Sequence, residues 1–379
     1  MSPKGTSKVK RAAAKPAKGA RSLKTGTPKP TAKAKPAAKS LAKSLAKSLA
    51  KSPARSPAKS PAKSKIAAPH AAKPQIVRIG ARGSPLALAQ AHLFGQRLVE
   101  RSGGALAYTL STYTTTGDKI LDRPLQDAGG KGLFTKELDR AQKDSQIDIG
   151  VHSLKDMTVR LPRHIFLAAY LPREDPRDCL IGPWASIADL PHGAVVGTSS
   201  LRRRSQLLMM RPDLKPVTFR GNVQTRLRKL AEGEAQATIL AAAGLRRLGM
   251  IDHAAGIIPI EDMLPAAGQG IIGVTLRTDA PEWLVAACSA TDDRLSRLAA
   301  IAERAFLRRL DGSCRTPIAA HFRLTDDGAE MAGEVLSDEG DRRWRAEGAL
   351  DRLPSERDAN DLGLFLAEDV ASHRAADLG

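Results

Sequence analysis

The chain has 379 residues, 42% of them hydrophobic and only 3% aromatic, with three cysteines and a formal net charge of +20. That size supports two or three packed domains. The isolated Cys179, Cys288 and Cys314 exclude a disulfide framework or a paired-cysteine zinc site and fit a reducing compartment.

The charge excess sits at one end. Residues 1–74 hold 20 of the 60 Lys and Arg and no Asp or Glu, so the remainder balances at 40 basic against 40 acidic residues. From Ala38 this segment repeats every four residues, as Ala-Lys-Ser-Leu and then Ala-Lys-Ser-Pro or Ala-Arg-Ser-Pro up to Ser64. Lysine repulsion, proline and the scarcity of large apolar side chains leave too little surface to bury, so residues 1–74 are expected to be disordered. The segment resembles the basic tails of linker histones, which implies nonspecific, salt-sensitive contact with nucleic acid or another anionic surface. A solubilising extension fits the composition equally. A transit peptide fits it poorly, because the segment is rich in Lys and Pro rather than Arg-rich and amphipathic. No apolar run reaches the ~20 residues of a membrane span and no apolar h-region follows the first lysines. The expectation is a cytoplasmic, monomeric, soluble protein, with organelle targeting by the tail left open.

The body starts at Gln75 with a strand, Ile76 to Ala81, a turn at Arg82-Gly83-Ser84-Pro85 with Ser84 as N-cap and Pro85 at the first helical position, and an amphipathic helix from Leu86 to Glu100. A β-branched strand follows from Tyr108 to Thr116. Gly129-Gly130-Lys131-Gly132-Leu133-Phe134 is a glycine-rich loop whose backbone can approach a ligand closely, with Lys131 adding charge, before a helix from Thr135 to Lys143. Ile147 to Val151 reads as a strand carrying His152-Ser153-Leu154-Lys155-Asp156 at its carboxyl end, where open α/β sheets bind ligands. Asp156 beside Lys155 is a candidate acid/base pair, against the alternative of a capping Asp and a surface Lys. His152 reads as a structural histidine or a proton carrier.

Pro172 to Arg177 reads as a crossing between lobes. A second α/β unit then opens with Val195-Val196-Gly197, the hydroxyl residues Thr198, Ser199 and Ser200, and a helix from Leu201. The pattern repeats with Pro216 to Phe219, Arg220-Gly221-Asn222 and a helix from Val223 with Asn222 as N-cap. Two helix starts flanked by Arg202, Arg203, Arg220 and Arg226 predict an anion site. The alternative is helix caps with arginines reaching into water. Pro265 to Gly270 reads as a second crossing, leading to a strand, Ile271 to Leu276, that returns to the first sheet. Beyond Pro281 two helices, three strands with turns at Asp326-Asp327-Gly328 and Asp338-Glu339-Gly340, and a last helix from Ala359 to His373 form a small α+β domain. Cys179 and Cys288 lie in apolar surroundings and read as core. Cys314, near Arg308, Arg309 and Arg315, is the nucleophile candidate, with a buried structural cysteine as the alternative.

Together these stretches resemble the porphobilinogen deaminase (hydroxymethylbilane synthase) family. The residues that carry the resemblance are Arg82 to Ala87, Gly129 to Phe134, His152 to Asp156, Arg173 to Asp178, Gly197 to Arg203, Arg220 to Asn222, Ala267 to Gly270 and Gly312 to Cys314, in family order. The resemblance implies an α/β fold of two periplasmic-binding-protein-like lobes plus a C-terminal α+β domain. The corresponding boundaries are 75–172 with 268–290 for lobe 1, 173–267 for lobe 2 and 291–379 for the last domain. It also implies a dipyrromethane cofactor joined by thioether to Cys314, and head-to-tail condensation of porphobilinogen into linear hydroxymethylbilane with release of ammonia; the alternatives are a non-catalytic binder of small anions, which two lobes with a cleft also suit, and a protein tethered to nucleic acid through its basic tail. Asp156 and Lys155 are the implied catalytic residues. Lys131, Ser153, Lys155, Asp156, Thr198, Ser199, Ser200, Arg202, Arg203 and Arg226 are implied contacts of the cofactor, and Arg82, Ser84, Arg220, Arg226, Arg247 and Gln269 of the substrate. No metal is implied. One departure is local: Arg315-Thr316 stands where many members have Gln-Val.

Overall fold

The computed structural model describes residues 10–11, 73–120, 132–310 and 316–378. Most of the basic segment, Lys131 and Cys314 lie outside the described residues. Within the stretch expected to lack structure, β1 (Lys10–Arg11) pairs antiparallel with the last strand of the chain.

Lobe 1 is built as the apolar pattern dictates. β2 (Gln75–Arg82) runs into α1 (Pro85–Arg101), β3 (Leu106–Tyr113), the short α2 (Thr116–Lys119), α3 (Lys136–Lys143), β4 (Ile149–Ser153) and β5 (Ile165–Tyr170). Lobe 2 follows with β6 (Asp178–Ile181), β7 (Val195–Gly197), α4 (Leu201–Met210), β8 (Lys215–Val217), α5 (Val223–Ala231), β9 (Ala237–Ala241), α6 (Ala242–Arg247) and β10 (Gly256–Ile257). β11 (Ile272–Arg277) then returns to lobe 1, and α7 (Glu282–Ser289) and α8 (Arg294–Arg309) lead to β12 (Ile318–Leu324), β13 (Ala329–Leu336), β14 (Arg343–Leu350) and α9 (Glu356–Leu378).

The two lobe sheets share one plan. Lobe 1 has the order β3-β2-β4-β11-β5, and lobe 2, read from its far edge, β8-β7-β9-β6-β10. In each the strand in fourth place is antiparallel to both neighbours, β11 to β4 and β5, β6 to β9 and β10. That strand is in each case the one that has just crossed from the other lobe. The shared plan bears out the expectation of two periplasmic-binding-protein-like lobes joined by two crossings. The crossings lie side by side: Glu174 N–H donates to Gly270 O at 3.1 Å. Gly270 has φ +87°, and a Cβ there would meet Glu174 O, so only glycine fits.

Burial follows the strand period. Along β6, Leu180 enters a core with Val196, Leu207 and Ile239, while Cys179 and Ile181 enter the core on the opposite face with Leu240 and Leu245. Lobe 1 packs Phe94 and Leu98 of α1 on Ile79, Val151, Val274 and Leu276. In the last domain α8 and α9 cover the β12–β14 sheet through Phe306, Leu362 and Leu366, and this core also takes in Leu154 and Met157. The turn between those two residues, Leu154–Asp156, is thereby anchored on both sides.

Candidate active site

The site is assembled from strand ends and helix starts. β4 extends to Ser153, so His152 and Ser153 belong to the strand and not to the loop after it, contrary to the sequence expectation. Partners on β11 and α1 explain this: His152 Nε2 lies 3.2 Å from Thr275 Oγ1, and Ser153 Oγ donates to Gln90 Oε1 at 2.9 Å. Burial, then the charge of Arg82, draws His152 down to about 4, so it is a neutral structural histidine at physiological pH. Lys155 and Asp156 follow in a single 3-10 turn. Asp156 is half-buried, with Arg82 Nη1 3.7 Å from its Oδ2. Lys155 donates to Gln269 Oε1 at 3.2 Å. Burial, then Arg203, pulls its ammonium down to about 8 against the opposing pull of Asp156 and Asp178.

Arg82, at the end of β2, is oriented by Asp118, to which Nε donates at 3.3 Å alongside a shorter Nη2 contact, and by the Phe134 ring 4.3 Å away. Ser84 caps α1, accepting from Ala87 N–H at 3.3 Å. In lobe 2 the three hydroxyls brace the turn before α4. Thr198 accepts from Ser200 N–H, Ser199 from Phe219 N–H and Ser200 from Arg203 N–H. Asn222 caps α5, accepting from Thr225 N–H at 2.8 Å. Arg226 Nε donates to Gly221 O at 3.0 Å, and burial, followed by Arg203 and Arg220, lowers it to about 10 while Asp156 raises it. Arg220 reaches from lobe 2 to Gly117 O of lobe 1 at 3.3 Å.

Three placements add detail that the sequence reading lacked. Arg202 and Arg203 do not reach into water: they are 4% and 5% exposed and share the fully buried carboxylate of Asp178 through one outer nitrogen each. Gln269 is also interior, bonded to Lys155, Pro176 and Asp178. Arg247 turns to the second crossing, donating to Gly270 O at 2.5 Å, and burial lowers it to about 10. Sequence reasoning missed Asp178 and Asp118. An acid opening the apolar run Cys179-Leu180-Ile181 was the available signal for Asp178, because a carboxylate at a core position requires a cationic partner. Cys179 and Cys288 are core residues as expected, each pushed by burial to about 12.

The matched regions decide the family. A family model described as "Porphobilinogen deaminase, dipyromethane cofactor binding domain" matches residues 77–284, and one described as "Porphobilinogen deaminase, C-terminal domain" matches residues 297–372. The chain belongs to the porphobilinogen deaminase family. Among curated relatives, the porphobilinogen deaminase of Paracoccus denitrificans is 50% identical over 303 residues, covering 79% of this chain and 95% of that protein. The chloroplastic porphobilinogen deaminase of Oryza sativa is 49% identical over 280 residues, covering 73% and 78%. Among solved structures, the methionine binding protein MetQ is 12% identical with a TM-score of 0.39, over 59% of this chain and 93% of that one, a likeness too weak to bear on function. Members of this family are enzymes of tetrapyrrole synthesis.

The residues present fit the dipyrromethane group. Each of its pyrroles carries two carboxylates, and the site has an excess of cations: Arg203 acts electrostatically on Lys155, Arg202 and Arg226. The Nε atoms of Arg202 and Arg203 are buried without a hydrogen-bond partner among the described residues. Bound carboxylates would satisfy both.

Proposed function

We propose that the cluster around Asp156 performs the stepwise, deaminating, head-to-tail condensation of porphobilinogen into linear hydroxymethylbilane, on a dipyrromethane primer joined by thioether to Cys314. The observation that carries this reading is one half-exposed carboxylate, Asp156, set among Arg82, Lys155 and Arg226. When bound, the cofactor supplies the pyrrole α-carbon to which the first unit is joined and is itself retained. In each turnover the C–N bond of the aminomethyl group breaks, ammonia leaves after protonation, a C–C bond forms to the acceptor pyrrole and that carbon loses its proton.

Asp156 has the chemistry this requires. A carboxylate accepts the pyrrole N–H and stabilises the positive charge that develops as ammonia departs. Lys155, lowered to about 8, holds a proton that a departing amine can take up near neutrality. Arg82, Arg220 and Arg226 supply fixed charge for acetate and propionate groups, with Ser84, Ser153, Thr198, Ser199 and Ser200 lining the helix starts and strand end beside them. Lys131 and Cys314 enter the proposal on the family motif alone. The lobe boundaries at 172/173 and 267/268 and the start of the last domain at 291 are proposed to be the hinges of this cleft.

Asp156→Ala is expected to lower kcat by about 100-fold or more with the native fold retained. Near-normal turnover would overturn the assignment. In the same experiment the intact mass should exceed the sequence mass by two linked pyrroles in wild type and in Asp156→Ala, and by nothing in Cys314→Ala.

The basic segment supports a second, separable role. Twenty cations without one acid in residues 1–74 predict nonspecific contact with nucleic acid or an anionic surface, in a monomeric cytoplasmic protein. Retention on DNA should fall steeply between low and physiological salt and vanish on deleting residues 1–74, with deaminase activity unchanged. Salt-independent retention would refute it.

A further inference from the structure

Asp178 opens β6, fully buried, and both of its carboxylate oxygens are engaged. Oδ2 accepts from Arg202 Nη2 at 2.7 Å; Oδ1 accepts from Arg203 Nη2 at 2.8 Å and from Gln269 Nε2 at 2.8 Å. The other outer nitrogens are held by backbone, Arg202 Nη1 by Leu264 O at 2.7 Å and Arg203 Nη1 by Ile239 O at 2.9 Å. A planar guanidinium bonded at two points has one orientation, so the two Nε groups left for a ligand are set at a fixed separation. Gln269 continues the line. Its amide donates to Pro176 O at 2.6 Å as well as to Asp178, and its carbonyl accepts from Lys155. It sits on the second crossing, between the turn after β4 in lobe 1 and β6 in lobe 2.

We infer that Asp178, acting through Gln269, is a positioning residue of this site: it fixes Arg202 and Arg203 as one rigid pair and ties Lys155 of lobe 1 to that pair across the crossing. Asp178 touches neither substrate nor cofactor in this account and acts through the three cations. The inference rests on the deaminase reading of the site. It explains why two adjacent arginines can be buried side by side: their shared carboxylate offsets the desolvation that would otherwise expel them. It also explains why Gln269 is interior. The charged groups facing Lys155 are Asp156 on its own turn, Asp178 from β6, and Arg202 and Arg203 from α4. Removing the Asp178 charge leaves two guanidinium groups and only Asp156 in opposition.

The test uses Asp178→Asn and Gln269→Met, each prepared as cofactor-loaded enzyme beside wild type. Lys155 acylation by trace acetic anhydride, read by peptide mass, and kcat are followed from about pH 6 to about pH 10. In Asp178→Asn the midpoint of Lys155 labelling and the alkaline limb of kcat should fall together by about one pH unit, and in Gln269→Met by less. A merely structural role would reduce amplitude and leave both midpoints at their wild-type values. Unchanged midpoints in Gln269→Met, and in Asp178→Asn if it folds, would overturn the inference. A wild-type enzyme that forms no product would count against the reaction, while the labelling midpoints still decide the positioning.

Discussion

The charge of a single buried side chain can be followed through pH at Asp139. This residue of α3 is buried, and desolvation, with Glu137 adding to it, pushes its carboxyl up to about 6 against the pull of Thr135 and His164. The folded value lies above the ordinary 3.8, so between those limits the native state holds a proton that the unfolded chain has released. The stability contributed by this group is complete below pH about 4 and is lost as pH rises through about 6. Asp139→Asn removes the dependence. It should be more stable than wild type at pH 7.5 by on the order of 1–2 kcal/mol, a few degrees in Tm, and no more stable at pH 4. Equal melting temperatures at both pH values would show that Asp139 ionises in the fold at its ordinary value. The arginines teach a different lesson at this scale. Their number and spacing were legible, but their direction was not, because the carboxylate that turns Arg202 and Arg203 inward is Asp178, 24 and 25 residues earlier in the chain. Spacing along a helix carries no information about such a partner.

Secondary elements were legible where a cap marks their start. Ser84, Ser200 and Asn222 were each read as helix N-termini, and each accepts a backbone N–H three residues on. The end of β4 was misread because His152 and Ser153 are polar, whereas in the fold Thr275 and Gln90 satisfy them. Periodicity sees polarity but not the bond that cancels it. α5 depends on its cap more than its neighbours do, since none of its residues is fully buried. Gly221, just before the cap, has φ +117°. Asn222→Ala should destabilise the protein by about 1 kcal/mol in urea denaturation. It should also weaken cofactor loading, because Arg226 lies one turn beyond the cap. A variant with wild-type midpoint and loading would show that the helix start is held by other contacts.

At the scale of the whole molecule, one carboxylate joins the last domain to both crossings. Glu303 of α8, fully buried, accepts from Arg173 Nη1 at 2.6 Å, from Gly268 N–H at 2.6 Å and from Phe322 N–H at 2.8 Å. Arg173 belongs to the first crossing, Gly268 to the second and Phe322 to β12. Glu303→Gln leaves the partly buried Arg173 guanidinium without its counter-ion and should cost about 3 kcal/mol in guanidinium unfolding. Loss of a single cooperative transition is expected with it, as the last domain is released from the hinge. A variant of wild-type stability would mean that the apolar core shared with Leu154 and Met157 carries the junction alone.

The exchanged fourth strands also fix an order of events during synthesis. Every strand of the lobe 2 sheet lies between residues 178 and 257, so that sheet can close as soon as this stretch has left the ribosome. Lobe 1 begins first and closes last. Among the described strands, β5 pairs with β11 alone, which is translated after the whole of lobe 2. Until then the nascent chain carries an apolar strand, Ile165-Phe166-Leu167-Ala168-Ala169-Tyr170, with no strand beside it. A ribosome stalled or terminated between residues 258 and 271 would release a finished lobe 2 attached to a half-made lobe 1 with an open, sticky edge. Chaperone demand for this protein should therefore peak late in translation, in the short interval before Ile272 emerges.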